Sequence, residues 1–140
     1  MRLRGCKAKS FVVIMISIAV MALLLRFAVK KAIEVIAAQN QANASRTLKL
    51  ISAALENYAK DAKEFPQNFN LLVESEPAYL DRDYISESPR RGYIFDCARF
   101  EPSGYSCSAA PTKCGRTGSM SYAISTGGVF VSEKCSSDEE

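Results

Sequence analysis

Cysteine is the residue type best equipped for chemistry in this chain: Cys6 stands alone near the start, and Cys97, Cys107, Cys114 and Cys135 cluster in the C-terminal part. Four thiols in a small segment can pair as disulfides or hold zinc. Zinc favours closely paired ligands, and the intervals of nine, six and twenty intervening residues contain no CxxC. Two disulfides are therefore expected, in one of three connectivities, and they imply an oxidising compartment. There is no histidine, so the usual neutral-pH general base and the commonest metal ligand are missing. The serines have no triad, and no Ser–Lys motif replaces it. Glu74/Glu76 and Asp81-Arg82-Asp83 are the tight carboxylate groupings. Calcium prefers several oxygen ligands on one loop, whereas aspartates around an arginine are expected to form a solvated surface. No enzyme, cofactor or metal site is expected.

The element around which the chain is organised is the apolar run at residues 11–25, FVVIMISIAVMALLL, with no charge and one hydroxyl, Ser17. Ten of its fifteen residues are Val, Ile, Leu or Phe, each favouring insertion by about 0.3–0.6 kcal/mol near a bilayer centre. Fifteen helical residues cover about 22 Å of a ~30 Å hydrocarbon core. Extension through Phe27, Ala28 and Val29 brings the span to residues 11–29 if Arg26 snorkels to the interface. A cleaved signal should break into small residues after its apolar run; here Arg26-Phe27-Ala28-Val29-Lys30-Lys31 follows, and helical patterning continues. An anchor is expected.

The net charge of +3 is concentrated at one end: Arg2, Arg4, Lys7 and Lys9 precede the run with no acid among them. Setting these four of the eighteen bases aside leaves fourteen against fifteen acids. No basic patch argues for nucleic acid. The basic start instead puts residues 1–10 in the cytoplasm and the remainder outside, with membrane lipid as the first partner and Cys6 a free thiol on the reducing side.

Residues 30–64 form an amphipathic helix in this reading. The stretch 30–63 has neither Gly nor Pro and is rich in good helix formers. Leu48, Ile51, Leu55, Tyr58 and Ala62 recur at spacings of 3, 4, 3 and 4, a one-sided packing face. Between anchor and face lies a polar patch, Gln39-Asn40-Gln41 with Asn43, that neither lipid nor a core calls for. One helix over about residues 11–64, roughly 80 Å long, is the simplest account, ended by Phe65-Pro66. Residues 65–135 make a small β-rich head: a loop with one helical turn near residues 70–73, then two hairpins turning at Glu101-Pro102-Ser103-Gly104 and Ser125-Thr126-Gly127. Tyr58, Tyr79, Tyr93, Phe95, Phe100, Tyr105, Tyr122 and Phe130 supply its core. Residues 136–140 are a short acidic tail. Cys97 and Cys107 sit on opposite arms of the first hairpin, and Cys114 and Cys135 bracket the second, so Cys97–Cys107 with Cys114–Cys135 is expected. The competing pairing is Cys97–Cys135 with Cys107–Cys114.

In this order the features resemble the type IV pilins and type II secretion pseudopilins. A basic leader-like start ends in Gly5, and an apolar helix runs on as an amphipathic one. Ala53-Ala54-Leu55-Glu56-Asn57-Tyr58 ahead of Phe65-Pro66 is similar to the family's SA-x-x-x-Y … YP segment, and Pro77-Ala78-Tyr79-Leu80-Asp81 to its PPYLD. Pro111 with Gly115-Arg116-Thr117-Gly118-Ser119-Met120-Ser121-Tyr122 and Gly128-Val129-Phe130 resembles its closing strands. The resemblance implies an α+β, pilin-like fold whose long N-terminal helix packs on a small antiparallel sheet. It implies a structural minor pilin or pseudopilin in the bacterial inner membrane, with other pilin or pseudopilin subunits and inner-membrane assembly proteins as partners. At the processing site the chain departs: the family's Gly-Phe-Thr-Leu-x-Glu is replaced by Gly5-Cys6-Lys7-Ala8-Lys9-Ser10. Cleavage between Gly5 and Cys6 is therefore expected to be poor or absent. The alternative role is a membrane-anchored binding module that does not polymerise.

Overall fold

A computed structural model describes residues 5–136, with side chains from Ser10 onward. The leader residues 1–4 and the acidic residues 137–140 lie outside the described residues. The chain divides into two compact units, Met1–Val35 and Ile36–Glu140. One helix, α1 (Gly5–Ala62), contributes to both. It begins six residues before the expected start at residue 11, because Cys6-Lys7-Ala8-Lys9-Ser10 contains no proline or glycine to stop a helix.

In the first unit α1 carries the apolar run with its side chains open: Phe11, Leu25 and Phe27 are 64%, 63% and 70% exposed. The Ser17 hydroxyl donates to the Val13 carbonyl oxygen at 2.8 Å. That back-bond satisfies the run's one polar side chain within the helix, as an apolar surrounding requires.

The second unit is helix on sheet. After α1 come α2 (Asn70–Glu74), β1 (Tyr93–Glu101), β2 (Gly104–Pro111), β3 (Met120–Ser125) and β4 (Val129–Lys134), with a 3-10 turn at Thr126–Gly128. The strands form one antiparallel meander in the order β1-β2-β3-β4, and with the helices this is an α+β fold. Sequence neighbours pair throughout, as short hairpin loops dictate. Alternation sends Tyr93 and Phe95 of β1, Tyr105, Cys107 and Ala109 of β2, and Ile124 of β3 into the core. They share it with Ala44, Leu48, Ile51, Ala54 and Leu55 of α1 and with Phe69, Leu72, Leu80 and Tyr84 of the connecting segment.

The helix stops at Ala62, two residues short of the expected end. Lys63 takes a left-handed conformation, φ 68°, and its N–H still reaches the Ala59 carbonyl at 2.9 Å. Phe65 then donates its N–H to Pro102 O at 3.2 Å, which attaches the chain to the first hairpin's turn.

Candidate functional site

The expected packing face holds over its first three positions. Leu48, Ile51 and Leu55 are fully buried. Tyr58 is half-buried, its ring edge-on to Tyr79 at 5.5 Å between centroids. Ala62 is exposed, a correction with a plain cause: it is the last helical residue, and the chain turns away at Lys63. Of the eight aromatics, Tyr93, Phe95 and Tyr105 are buried, and Tyr58, Tyr79, Phe100, Tyr122 and Phe130 pack partly buried against the core.

A polar node crosses from helix to sheet inside this core. Ser52 is 5% exposed, and its hydroxyl lies 2.7 Å from the Tyr105 hydroxyl. Tyr105 Oη donates to Glu56 Oε1 at 3.1 Å, and the same carboxylate oxygen accepts the Gly127 N–H at 2.7 Å. With Glu56 an acceptor, the Ser52 hydroxyl donates to Tyr105 Oη. Burial raises the Tyr105 pKa above its ordinary value, and the Glu56 carboxylate adds to the rise. Sequence reading missed Ser52. Its one available signal was position, since it falls one turn after Leu48 on the same face.

The cysteines are joined as Cys97–Cys107 and Cys114–Cys135, with Cα separations of 3.9 and 5.8 Å. Cys97 stands directly opposite Cys107 in the β1–β2 register, and the ladder shifts between Cys97 and Arg99, leaving Ala98 as the extra residue. Cys114 and Cys135 fasten the end of β4 to the loop before β3, where Cys135 also donates its N–H to Ser119 O at 3.1 Å. At the other end of the chain, Gly5 and Cys6 occupy the first turn of α1, which contains no acidic residue.

The carboxylates near residue 80 serve local turns. Asp83 accepts the Ile85 and Ser86 N–H groups through Oδ1 and the Ser86 hydroxyl through Oδ2. Burial pushes its pKa up, but these hydrogen bonds outweigh it and hold the group below the usual range. Asp81 takes the Tyr84 hydroxyl at 2.8 Å and Arg82 Nε at 3.0 Å, which lower its pKa in that order. The described residues contain no grouping of three or more His, Cys, Asp or Glu able to hold a metal ion.

The polar patch on α1 is built into the second unit. Asn40 Nδ2 donates to Thr117 O at 3.0 Å, and Gln41 Nε2 to Ser119 Oγ at 3.4 Å. Gly118 between them is buried, and a Cβ there would sit 2.7 Å from Tyr93 Cζ. The Tyr93 hydroxyl closes the arrangement by donating to Met120 O at 2.7 Å.

No protein-family model matches this chain, and no curated protein matches it. Within the chain itself, the first unit has one helix long and apolar enough to cross a membrane. The second has a disulfide-stapled helix-on-sheet core.

Proposed function

We propose that this chain is a pilin-like structural subunit, a minor pilin or pseudopilin of a type IV pilus or type II secretion assembly held in a bacterial inner membrane. The carrying observation is that one helix serves two solvents: Gly5–Ala62 is continuous, apolar and uncovered in the first unit, then packed on a sheet in the second. An uncovered run of Phe, Val, Ile and Leu needs lipid or the apolar helices of other subunits around it. The basic residues Arg2, Arg4, Lys7 and Lys9 favour a cytoplasmic N-terminus. Two disulfides favour an oxidising compartment for the head.

A reporter that works only outside the cytoplasm, fused after Glu140, should be active, and alkaline carbonate should leave the chain in the membrane pellet. Activity only of a cytoplasmic reporter, or release by carbonate, overturns the reading. The replacement of the processing-site glutamate by Ser10 favours a second reading, an anchored binding module that stays in the membrane without polymerising. Dependence of its location on the pilus or secretion machinery separates the two.

A further inference from the structure

Beside the polar patch of α1 the second unit has a concavity of about 210 Å³, lined in part by Asn40, Asn43 and Thr47 of the helix and by Tyr84, Arg90 and Arg91. The helical trio stands at i, i+3 and i+7, so its members share a face of α1. Next to that face the helix is apolar, with Ala44, Leu48 and Ile51 buried; packing alone does not call for amides and a hydroxyl here. Opposite them, Arg90 and Tyr93 exchange N–H···O bonds of 2.7 and 3.0 Å around Arg91 and Gly92. Both central residues have positive φ, 47° and 74°, the pattern of a type I′ turn. A glycine is required at the second position, since a Cβ would lie 2.7 Å from Thr117 Cβ and 3.1 Å from Asn40 Nδ2. The first position holds an arginine in a conformation that arginine rarely adopts.

The groups at this concavity are unequally occupied. Asn40 is committed to Thr117 O. Arg90 pairs with Glu87 at 3.1 Å and stacks over Tyr84 at 5.7 Å. The Arg91 guanidinium, the Asn43 amide and the Thr47 hydroxyl make no side-chain hydrogen bond or ion pair among the described residues. No acidic side chain lines the space. It therefore offers one uncompensated guanidinium, an amide and a hydroxyl, with a second guanidinium alongside.

We propose that this concavity is a binding site for a carboxylate group, gripped by Arg91 and oriented by Asn43 and Thr47. A guanidinium fork matches the two oxygens of a carboxylate. The space is large enough for a small organic acid or for the side chain of an aspartate or glutamate in a partner polypeptide.

The test uses the full chain, ¹⁵N-labelled in detergent micelles, followed through the Asn43 side-chain amide and the Gly92 backbone amide. The probes are succinate, its neutral counterpart succinamide, and the capped peptide Ser-Ser-Asp-Glu-Glu. Saturable shifts with succinate or the peptide, and none with succinamide, are expected; the tighter of the two identifies a free acid or a polypeptide carboxylate as the source. Arg91→Asn suits the positive φ and keeps the turn, and it should weaken binding about tenfold or more. Thr47→Val, close to isosteric, should weaken it less. The proposal is overturned if no probe gives a saturating shift, if succinamide matches succinate, or if Arg91→Asn binds as the parent does.

Discussion

Replacing Tyr105 by Phe removes one oxygen from the node that joins α1 to β2 and leaves the ring in place against Phe65, 5.3 Å away. Two hydrogen bonds disappear, at 2.7 and 3.1 Å. Their loss is unequal. Glu56 keeps the Gly127 N–H, whereas Ser52, 5% exposed, is left with a buried hydroxyl and no partner in the node. Stranding a buried donor costs about 1–3 kcal/mol, so a destabilisation of about 2 kcal/mol is expected. Ser52→Ala leaves the Tyr105–Glu56 bond intact and should cost about 1 kcal/mol. The double variant strands nothing and should cost about 2 kcal/mol, a coupling of about 1 kcal/mol between the sites. For a domain near 100 residues, 1 kcal/mol moves Tm by about 4 °C, so Tyr105→Phe should melt about 8 °C lower. With no tryptophan in the chain, near-UV circular dichroism of the tyrosines and disulfides reads the head without interference from the anchor helix. A Tyr105→Phe cost below about 0.5 kcal/mol, or strict additivity of the pair, refutes the reasoning.

Gly118→Ala drives a methyl into the Tyr93 ring and should cost about 1–3 kcal/mol by overpacking, measured by the same melt; a neutral result removes Gly118 from the account. Exchanging Cys114 and Cys135 together for serine opens a link spanning 21 residues, worth about 3 kcal/mol in the chain-entropy model, and urea titration should show that loss. Burial pushes Tyr93 up to about 12 from 10.0 and raises Tyr122 and Tyr105 as well. Because the folded-state values lie above the unfolded ones, this stability is complete below pH 10 and lost as pH rises toward 12. Phenolate absorbance should therefore appear together with loss of the near-UV signal, and free titration of all six tyrosines near pH 10 in a still-folded head contradicts the burial of Tyr93.

The parts of this fold that were legible in the sequence depend on local pattern. The hairpin's turn brings Cys97 and Cys107 to nearby positions on paired arms, but the register set at Glu101 and Gly104 would oppose Cys97 to Ser108. The extra residue Ala98, which pattern does not show, shifts the ladder and sets Cys97 opposite Cys107. The 3-4 spacing found Leu48, Ile51 and Leu55 because helical periodicity is local. Pattern does not see where a helix ends when the terminating residue is an ordinary one. Lys63, in the left-handed region where glycine is the usual choice, left Ala62 credited with burial that it lacks. Nor does pattern see partners distant in the chain. Asn40 and Gln41 read as unexplained polarity because Thr117 and Ser119 lie 77 and 78 residues away. Ser52 was passed over because its type argues for exposure, while its true partner, Tyr105, comes 53 residues later. The carboxylate pocket combines both blind spots: a helical face of modest polar residues, and an arginine turn that tertiary contacts bring to it.

The central claim is membership of a pilus or secretion assembly, and the most direct measurement is where the chain resides in its own cells with that machinery intact and with it removed. The account predicts that shearing of intact cells releases a fraction of the protein together with filament subunits, and that this fraction returns to the inner membrane when the machinery is absent. An unchanged, wholly membrane-bound distribution in both strains contradicts it and leaves an anchored head that works alone.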